Sequence, residues 1–158
     1  MESPKISTHK KGFSLIEVCV VLGMLAIAGS LALVVSMATY EGGSFNNEQN
    51  LLVSALQKAR SQSMSAVCAG SACTAGVAHG VDIEPTQLVI FQGSSYNPGD
   101  EYNEYIPLPD AGVTFSGAHT IVFAELSGDA STPGDIGMSD ITGRVATVSV
   151  GSDGQLVW

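Results

Sequence analysis

The residues with the clearest chemical role lie near the N-terminus, where the run Lys10–Phe13 is followed by Glu17. Glu17 is the only charged residue in the apolar segment from Phe13 to Ala38. A carboxylate in the membrane costs about 3 kcal/mol and normally has a cationic partner. Cleavage after Gly12 would supply one, because Phe13 would then carry an α-amine about one helical turn from Glu17, on the same or a neighbouring chain.

The segment that holds Glu17 has the length of a membrane span. As an α-helix, residues 13–38 would be about 39 Å long, against a bilayer core of about 30 Å. Lys5, Lys10 and Lys11 precede it and the acidic bulk of the chain follows it, which favours a cytoplasmic N-terminus. We therefore predict a single-pass inner-membrane protein whose globular part is periplasmic or on an extracellular filament.

Two simpler interpretations compete for the same segment. Ser36-Met37-Ala38 is a small-x-small triplet that signal peptidase could cut, which would release a secreted acidic β-domain, a binding module beginning at Thr39. Secretory signals, however, have an apolar region of only about 7–15 residues, and a glutamate inside it is out of place. A plain membrane anchor would leave Glu17 unexplained.

The N-terminal pattern resembles the class III signal of type IV prepilins and type II secretion pseudopilins. In that superfamily a short basic leader ends in glycine, phenylalanine follows, and glutamate stands fifth in the mature chain; Lys10, Lys11, Gly12, Phe13 and Glu17 match those places. The resemblance implies cleavage after Gly12 by a prepilin peptidase and N-methylation of Phe13. It also implies an inner-membrane assembly platform and a helical filament of pilin or pseudopilin subunits, in which Glu17 neutralises a neighbour's N-terminus.

The charge balance argues against nucleic acid as a partner. The chain has 15 acidic residues against 6 Lys and Arg, for a net charge of −9. Beyond the leader only Lys58, Arg60 and Arg144 are basic, and three scattered cations form no stripe that neutralises phosphates. Hydrolase, nucleotide-binding and zinc-protease motifs are absent from the sequence, and His79 and His119 are isolated. We expect no enzyme and no cofactor.

Two further groups could carry chemistry. Cys68 and Cys73 are separated by a flexible four-residue spacer, which favours a disulfide of about 2 kcal/mol over two free thiols or a zinc site. Cys19 is interpreted as a small apolar residue. The acidic and aromatic run Asn97–Glu104 offers oxygen ligands of the kind that calcium takes, but its spacing matches no calcium loop. It is interpreted as a solvated loop for partner contact, without a metal.

The elements that must position these residues divide the chain into four parts: a leader (1–12), a transmembrane and assembly helix (13–38), an amphipathic continuation (39–67) and an antiparallel β-domain (68–158). The continuation places Phe45, Leu52, Leu56, Ala59 and Ala66 at helical steps. Strands are predicted at Val77 to Ile83, Gln87 to Gln92, Gly112 to Ser116, Thr120 to Leu126, Ile136 to Ile141, Arg144 to Val150 and Gln155 to Trp158.

These elements predict an α+β ladle, with a long N-terminal helix whose first half spans the membrane and which packs on one C-terminal antiparallel sheet. The run Leu56–Ser63, then Cys68 and Cys73, then a first strand, resembles the GspH/FimT family of minor pilins and pseudopilins. The resemblance implies a non-enzymatic filament subunit, either a minor pseudopilin of a type II secretion system or a minor pilin of a type IV pilus. The DNA-binding role of some family members is not transferred, because the C-terminal residues here lack basic side chains.

Overall fold

The computed structural model describes residues 14–70, 73, 75–109 and 112–158, without the side chains of residues 30–43. The chain divides into two compact units, residues 1–41 and 42–158. The elements are α1 (Leu15–Met64), β1 (His79–Ile83), β2 (Gln87–Gln92), β3 (Glu104–Pro107), β4 (Val113–Gly117), β5 (Thr120–Phe123), β6 (Gly134–Asp140), β7 (Val145–Val150) and β8 (Leu156–Val157).

Within the second unit, the apolar stripe of α1 enters the core. Phe45, Leu52, Leu56 and Ala59 are all buried, which confirms the helical spacing predicted for the stripe. Ala66 is only half-buried. Its φ of 49° is in the left-handed region, which is a common way for a helix to end. The helix therefore stops at Met64 rather than near Val67.

All strand pairs are antiparallel, and they form two sheets. One sheet has the order β3-β2-β1-β5 and the other has the order β4-β6-β7-β8. The core draws apolar side chains from α1 and from both sheets, among them Val81, Leu88, Ile121, Ile136 and Val148. Because both sheets contribute to this core, the buried face of α1 is wider than a single narrow stripe.

The prediction of a single sheet is wrong, because the strands form two sheets. Consecutive strands β4 and β5 belong to different sheets, since β4 pairs with β6 and β5 with β1. The chain turns sharply at Gly117, the last residue of β4, where φ is 86°. Only a residue without a side chain adopts this conformation readily, and a Cβ on Gly117 would overlap the carbonyl oxygen of Asp135. The α+β class and the antiparallel pairing stand.

The membrane-spanning first half of the ladle, predicted for residues 13–38, is also wrong. A bilayer core of about 30 Å requires about 20 consecutive apolar residues in a helix, and over the residues with described structure no helix is both long and apolar enough to cross a membrane. This finding overturns the transmembrane helix and the single-pass inner-membrane location.

The strand predictions differ from the structure mainly at the ends. The bounds of β2 match the prediction, while β1 begins two residues later and β5 ends three residues earlier. The sequence pattern missed β3 (Glu104–Pro107), which lies at the end of the acidic run. Most of its side chains are exposed, so the strand shows no alternation of apolar residues.

Candidate assembly surface

The first turn of α1 holds Glu17, the carboxylate on which the sequence interpretation depends. The carbonyl oxygen of Ser14 accepts hydrogen bonds from the backbone N–H of Glu17, at 3.0 Å, and of Val18, at 3.2 Å. These bonds begin the helix one turn before Glu17. A carboxylate in the first turn interacts favourably with the positive end of the helix dipole. The side chain is exposed, and it makes no ion pair with any residue that the structure describes.

The rest of this segment is an uncovered apolar surface. Every side chain from Ser14 to Gly29 is exposed. The large apolar ones include Leu15, Ile16, Leu22, Met24, Leu25 and Ile27, which are between 61% and 82% exposed. Contiguous apolar patches of this kind mark interaction sites on folded proteins. Glu17 is the only acidic or basic residue among residues 14–29.

Gly12 and Phe13, the predicted cleavage and methylation residues, lie outside the described residues. Their roles remain predictions.

Cys68 and Cys73 form the predicted disulfide, with their Cα atoms 5.8 Å apart. The bridged loop is also held by the side chain of Gln92 at the end of β2. The Gln92 amide accepts a hydrogen bond from Ala69 N–H at 3.1 Å and donates one to Ala69 C=O at 3.2 Å. The disulfide therefore closes a loop that is fixed to the first sheet. The third cysteine, Cys19, is free and exposed.

The acidic run Asn97–Glu104 is held by local hydrogen bonds. Asp100 Oδ1 accepts the backbone N–H of Tyr102 at 2.9 Å, and the Asn103 side chain donates to Asn97 C=O at 2.7 Å. The Tyr102 hydroxyl bonds to Glu101, and this contact raises the pKa of Tyr102. No group of three potential metal ligands occurs among the described residues. Of the three carboxylates in this run, Asp100 is thus engaged with the loop backbone, Glu101 with the Tyr102 hydroxyl and Glu104 with Lys58 of α1.

Two of the basic residues of the second unit are paired with carboxylates. Lys58 Nζ lies 2.5 Å from Glu104, and Arg144 lies 2.6 Å from Asp140. Burial alone would raise the pKa of Asp140, but hydrogen bonds from Thr142 and Arg144, with the guanidinium charge, lower it to about 2.

The third basic residue, Arg60, binds backbone oxygens. Arg60 Nε donates to Gly128 C=O at 3.2 Å, and Nη2 donates to Asp153 C=O at 3.0 Å. The two carbonyls belong to turns of the second unit, one after β5 and the other before β8. All three basic side chains of this unit therefore make contacts inside their own chain.

Sequence reasoning missed two buried polar residues of α1. Ser63 is fully buried, where its hydroxyl accepts His79 N–H at 2.8 Å and donates to Phe123 C=O at 3.0 Å. Glu48 is fully buried as well. Its position three residues after Phe45 and four before Leu52 places it on the core stripe, and this spacing could have identified it.

Neither the known protein families, nor the curated proteins, nor the solved structures include a match to this chain.

Proposed function

We propose that the protein is a non-enzymatic filament subunit that is processed after Gly12 and assembles through its N-terminal helix. The observation that supports this proposal is the uncovered apolar segment of residues 14–29, which contains one carboxylate. Burying a Leu or Ile side chain stabilises an assembly by about 1.5–3 kcal/mol. Because these side chains are mostly exposed in a single chain, nearly all of that stabilisation is left for contacts with other subunits.

Glu17 sets the register of this assembly. A carboxylate buried between apolar helices without a partner is strongly destabilising, by about 3–5 kcal/mol relative to the intact pair. Cleavage after Gly12 supplies the partner, the α-amine of Phe13 on an adjacent subunit. The apolar surface thus provides the attraction between subunits, while the ion pair selects one arrangement.

The partners follow from the resemblance of the N-terminal signal to prepilins. They are a prepilin peptidase, an assembly platform and other pilin or pseudopilin subunits. The filament is either a type II secretion pseudopilus or a type IV pilus, and the subunit is a minor component. The acidic charge of the chain gives it no role in direct binding of nucleic acid.

The proposal is tested by the mature N-terminus together with variants of Glu17. Mass spectrometry of the native protein should find a chain that begins at N-methylated Phe13. Glu17→Val and Glu17→Gln should be cleaved normally, but their incorporation into purified filaments should fall at least a hundredfold, which corresponds to about 3 kcal/mol. Glu125→Gln is the matched control, because it neutralises an exposed carboxylate in the other unit.

Wild-type incorporation of both Glu17 variants would refute the proposed role of the ion pair. A mature chain beginning at Thr39 would instead support the alternative function, a secreted acidic binding module released by signal peptidase after Ala38. That alternative is favoured by one observation: residues 42–158 form a compact unit with its own core.

A further inference from the structure

A cavity of about 320 Å³ lies where the turn between β1 and β2, in the first sheet, approaches β4, in the second. Part of its wall is apolar, because it is lined by the buried Ile83 and Val113 and by the half-buried Phe115. Its volume is at the lower end of the about 300–1,000 Å³ that is typical of ligand sites. The cavity therefore has the size for one long side chain rather than for a larger ligand.

Glu84 places a carboxylate at this cavity, where its side chain is half-buried. Oε1 accepts a hydrogen bond from the Tyr96 hydroxyl at 3.1 Å, and Oε2 accepts one from the Gln87 side-chain amide at 2.6 Å. A carboxylate has about four acceptor positions, so these two bonds leave capacity for further donors. His119 also lines the cavity, but it makes no ion pair with Glu84.

The charge of Glu84 is not balanced by any cation that the structure describes. Lys58 and Arg144 pair with other carboxylates, and Arg60 donates to backbone oxygens elsewhere. The pKa of Tyr96 is raised to about 12, first by burial and then by the hydrogen bond to Glu84 and its negative charge. A half-buried carboxylate thus lines the cavity without a cationic partner among the described residues.

We propose that this cavity binds an arginine side chain of a partner polypeptide, with the guanidinium at Glu84 and the aliphatic stem against the apolar wall. A guanidinium presents its N–H donors in a planar fork that matches the geometry of a carboxylate, and it also stacks on aromatic rings such as Phe115. The ammonium of lysine is more strongly hydrated and lacks this planar shape. Arginine is therefore the better fit to a site that combines a carboxylate with apolar side chains.

Charge selects against other occupants. An anion would place its charge beside Glu84, and an uncharged apolar ligand would remove water from the carboxylate without replacing its hydrogen bonds. A cationic partner is instead attracted by a chain whose net charge is −9. Thr86 and Thr114 line the same cavity and are exposed, so the partner backbone can remain outside while one side chain enters. The site lies wholly in the second unit, and it goes beyond the assembly proposed for residues 14–29.

Peptide binding to the full-length chain, followed by NMR, tests this assignment. The probe is a capped pentapeptide with arginine between two glycines on each side. Its matched control carries citrulline, which has the shape of arginine without the charge. The arginine peptide should bind at least tenfold more tightly than the citrulline peptide, as expected for hydrogen bonds to a charged group, and should shift the amide signals of Thr86 and Thr114. Equal binding of the two peptides would overturn the proposal, and so would equal affinity for the methylguanidinium ion alone.

Variants of the protein separate this site from general attraction to an acidic chain. Glu84→Gln should weaken binding of the arginine peptide at least tenfold. Glu125→Gln is the matched control, because it removes the same charge from an exposed carboxylate at the other end of β5, and it should change the affinity less than twofold. Equal losses in the two variants would mean that net charge alone attracts the peptide, which would overturn the proposal.

A second variant leaves the hydrogen bonds of Glu84 to Tyr96 and Gln87 in place. Thr86→Lys introduces an ammonium at an exposed position that lines the same cavity, where it competes with the peptide for Glu84. It should also weaken binding at least tenfold, although it changes the net charge by no more than Glu125→Gln does. Wild-type affinity in Thr86→Lys would contradict the placement of the guanidinium at Glu84.

Discussion

Replacing Ser63 with alanine should destabilise the fold more than its small change in volume suggests. The Ser63 hydroxyl is the hydrogen-bond partner of two buried backbone groups, the N–H of His79 on β1 and the C=O of Phe123 on β5. Both bonds join α1 to the first sheet. Alanine cannot replace either bond, and the site is fully buried, which leaves no access for bulk water.

The magnitude follows from these two contacts. Each buried backbone group left without a partner costs about 1–3 kcal/mol. The better helix propensity of alanine returns about 0.5 kcal/mol. We therefore expect Ser63→Ala to lower the free energy of unfolding by about 2–5 kcal/mol, a large part of the about 5–15 kcal/mol typical of a folded domain.

Urea denaturation of the full chain, followed by fluorescence of its single tryptophan, Trp158, measures this loss. With a slope near 1.5 kcal/mol per M, the midpoint should shift by about 1–3 M. Ser54→Ala is the matched control, because Ser54 donates a similar bond to Leu51 C=O on the same helix but is exposed. If the two variants unfold at the same urea concentration, the reasoning about the buried hydroxyl is wrong.

Two further predictions concern stability. Asp140→Asn should lower the free energy of unfolding at pH 7. The pKa of Asp140 is about 2 in the folded chain against an ordinary 3.8, so its stabilisation is complete above about pH 4–5 and is lost as the pH falls to about 2. The difference from wild type in urea titrations should close over that range, whereas a constant difference would contradict the assignment. Gly154→Ala should cost clearly more than Gly143→Ala in thermal unfolding. Both glycines have positive φ, but only a Cβ on Gly154 meets other atoms, Arg60 Nε at 2.9 Å among them. Equal costs would refute the crowding argument.

The parts of the fold that could be predicted from sequence depend on local patterns. The buried stripe at Phe45, Leu52 and Leu56 repeats at helical steps, and β2 is a continuous apolar run, Leu88–Phe91, bounded by turn residues, so each pattern identifies its element without knowledge of the rest. The disulfide was predictable for the same reason, because Cys68 and Cys73 are close in the chain.

The rest depends on contacts between distant residues. The division into two sheets is decided by pairing β4 with β6 rather than with β5, and no local pattern records that choice. Ser63 is ordinary in sequence and becomes important only because β1 and β5 bring two backbone groups to it. Glu48 is buried by the same tertiary packing. Of the candidate assembly surface, Glu17 and its apolar neighbours could be recognised from sequence, whereas their exposure required the structure.

The acidic excess of the second unit has a kinetic consequence. Residues 42–158 contain 12 Asp and Glu against 3 Lys and Arg, so the electrostatic field around this unit is negative. Encounters between copies are then slowed by repulsion, which extends over a Debye length of about 8 Å at physiological salt. Only approaches that bring uncharged patches together avoid this barrier. The acidic surface therefore makes the association rate depend on the orientation in which two copies approach each other. Higher ionic strength screens the repulsion and weakens this dependence.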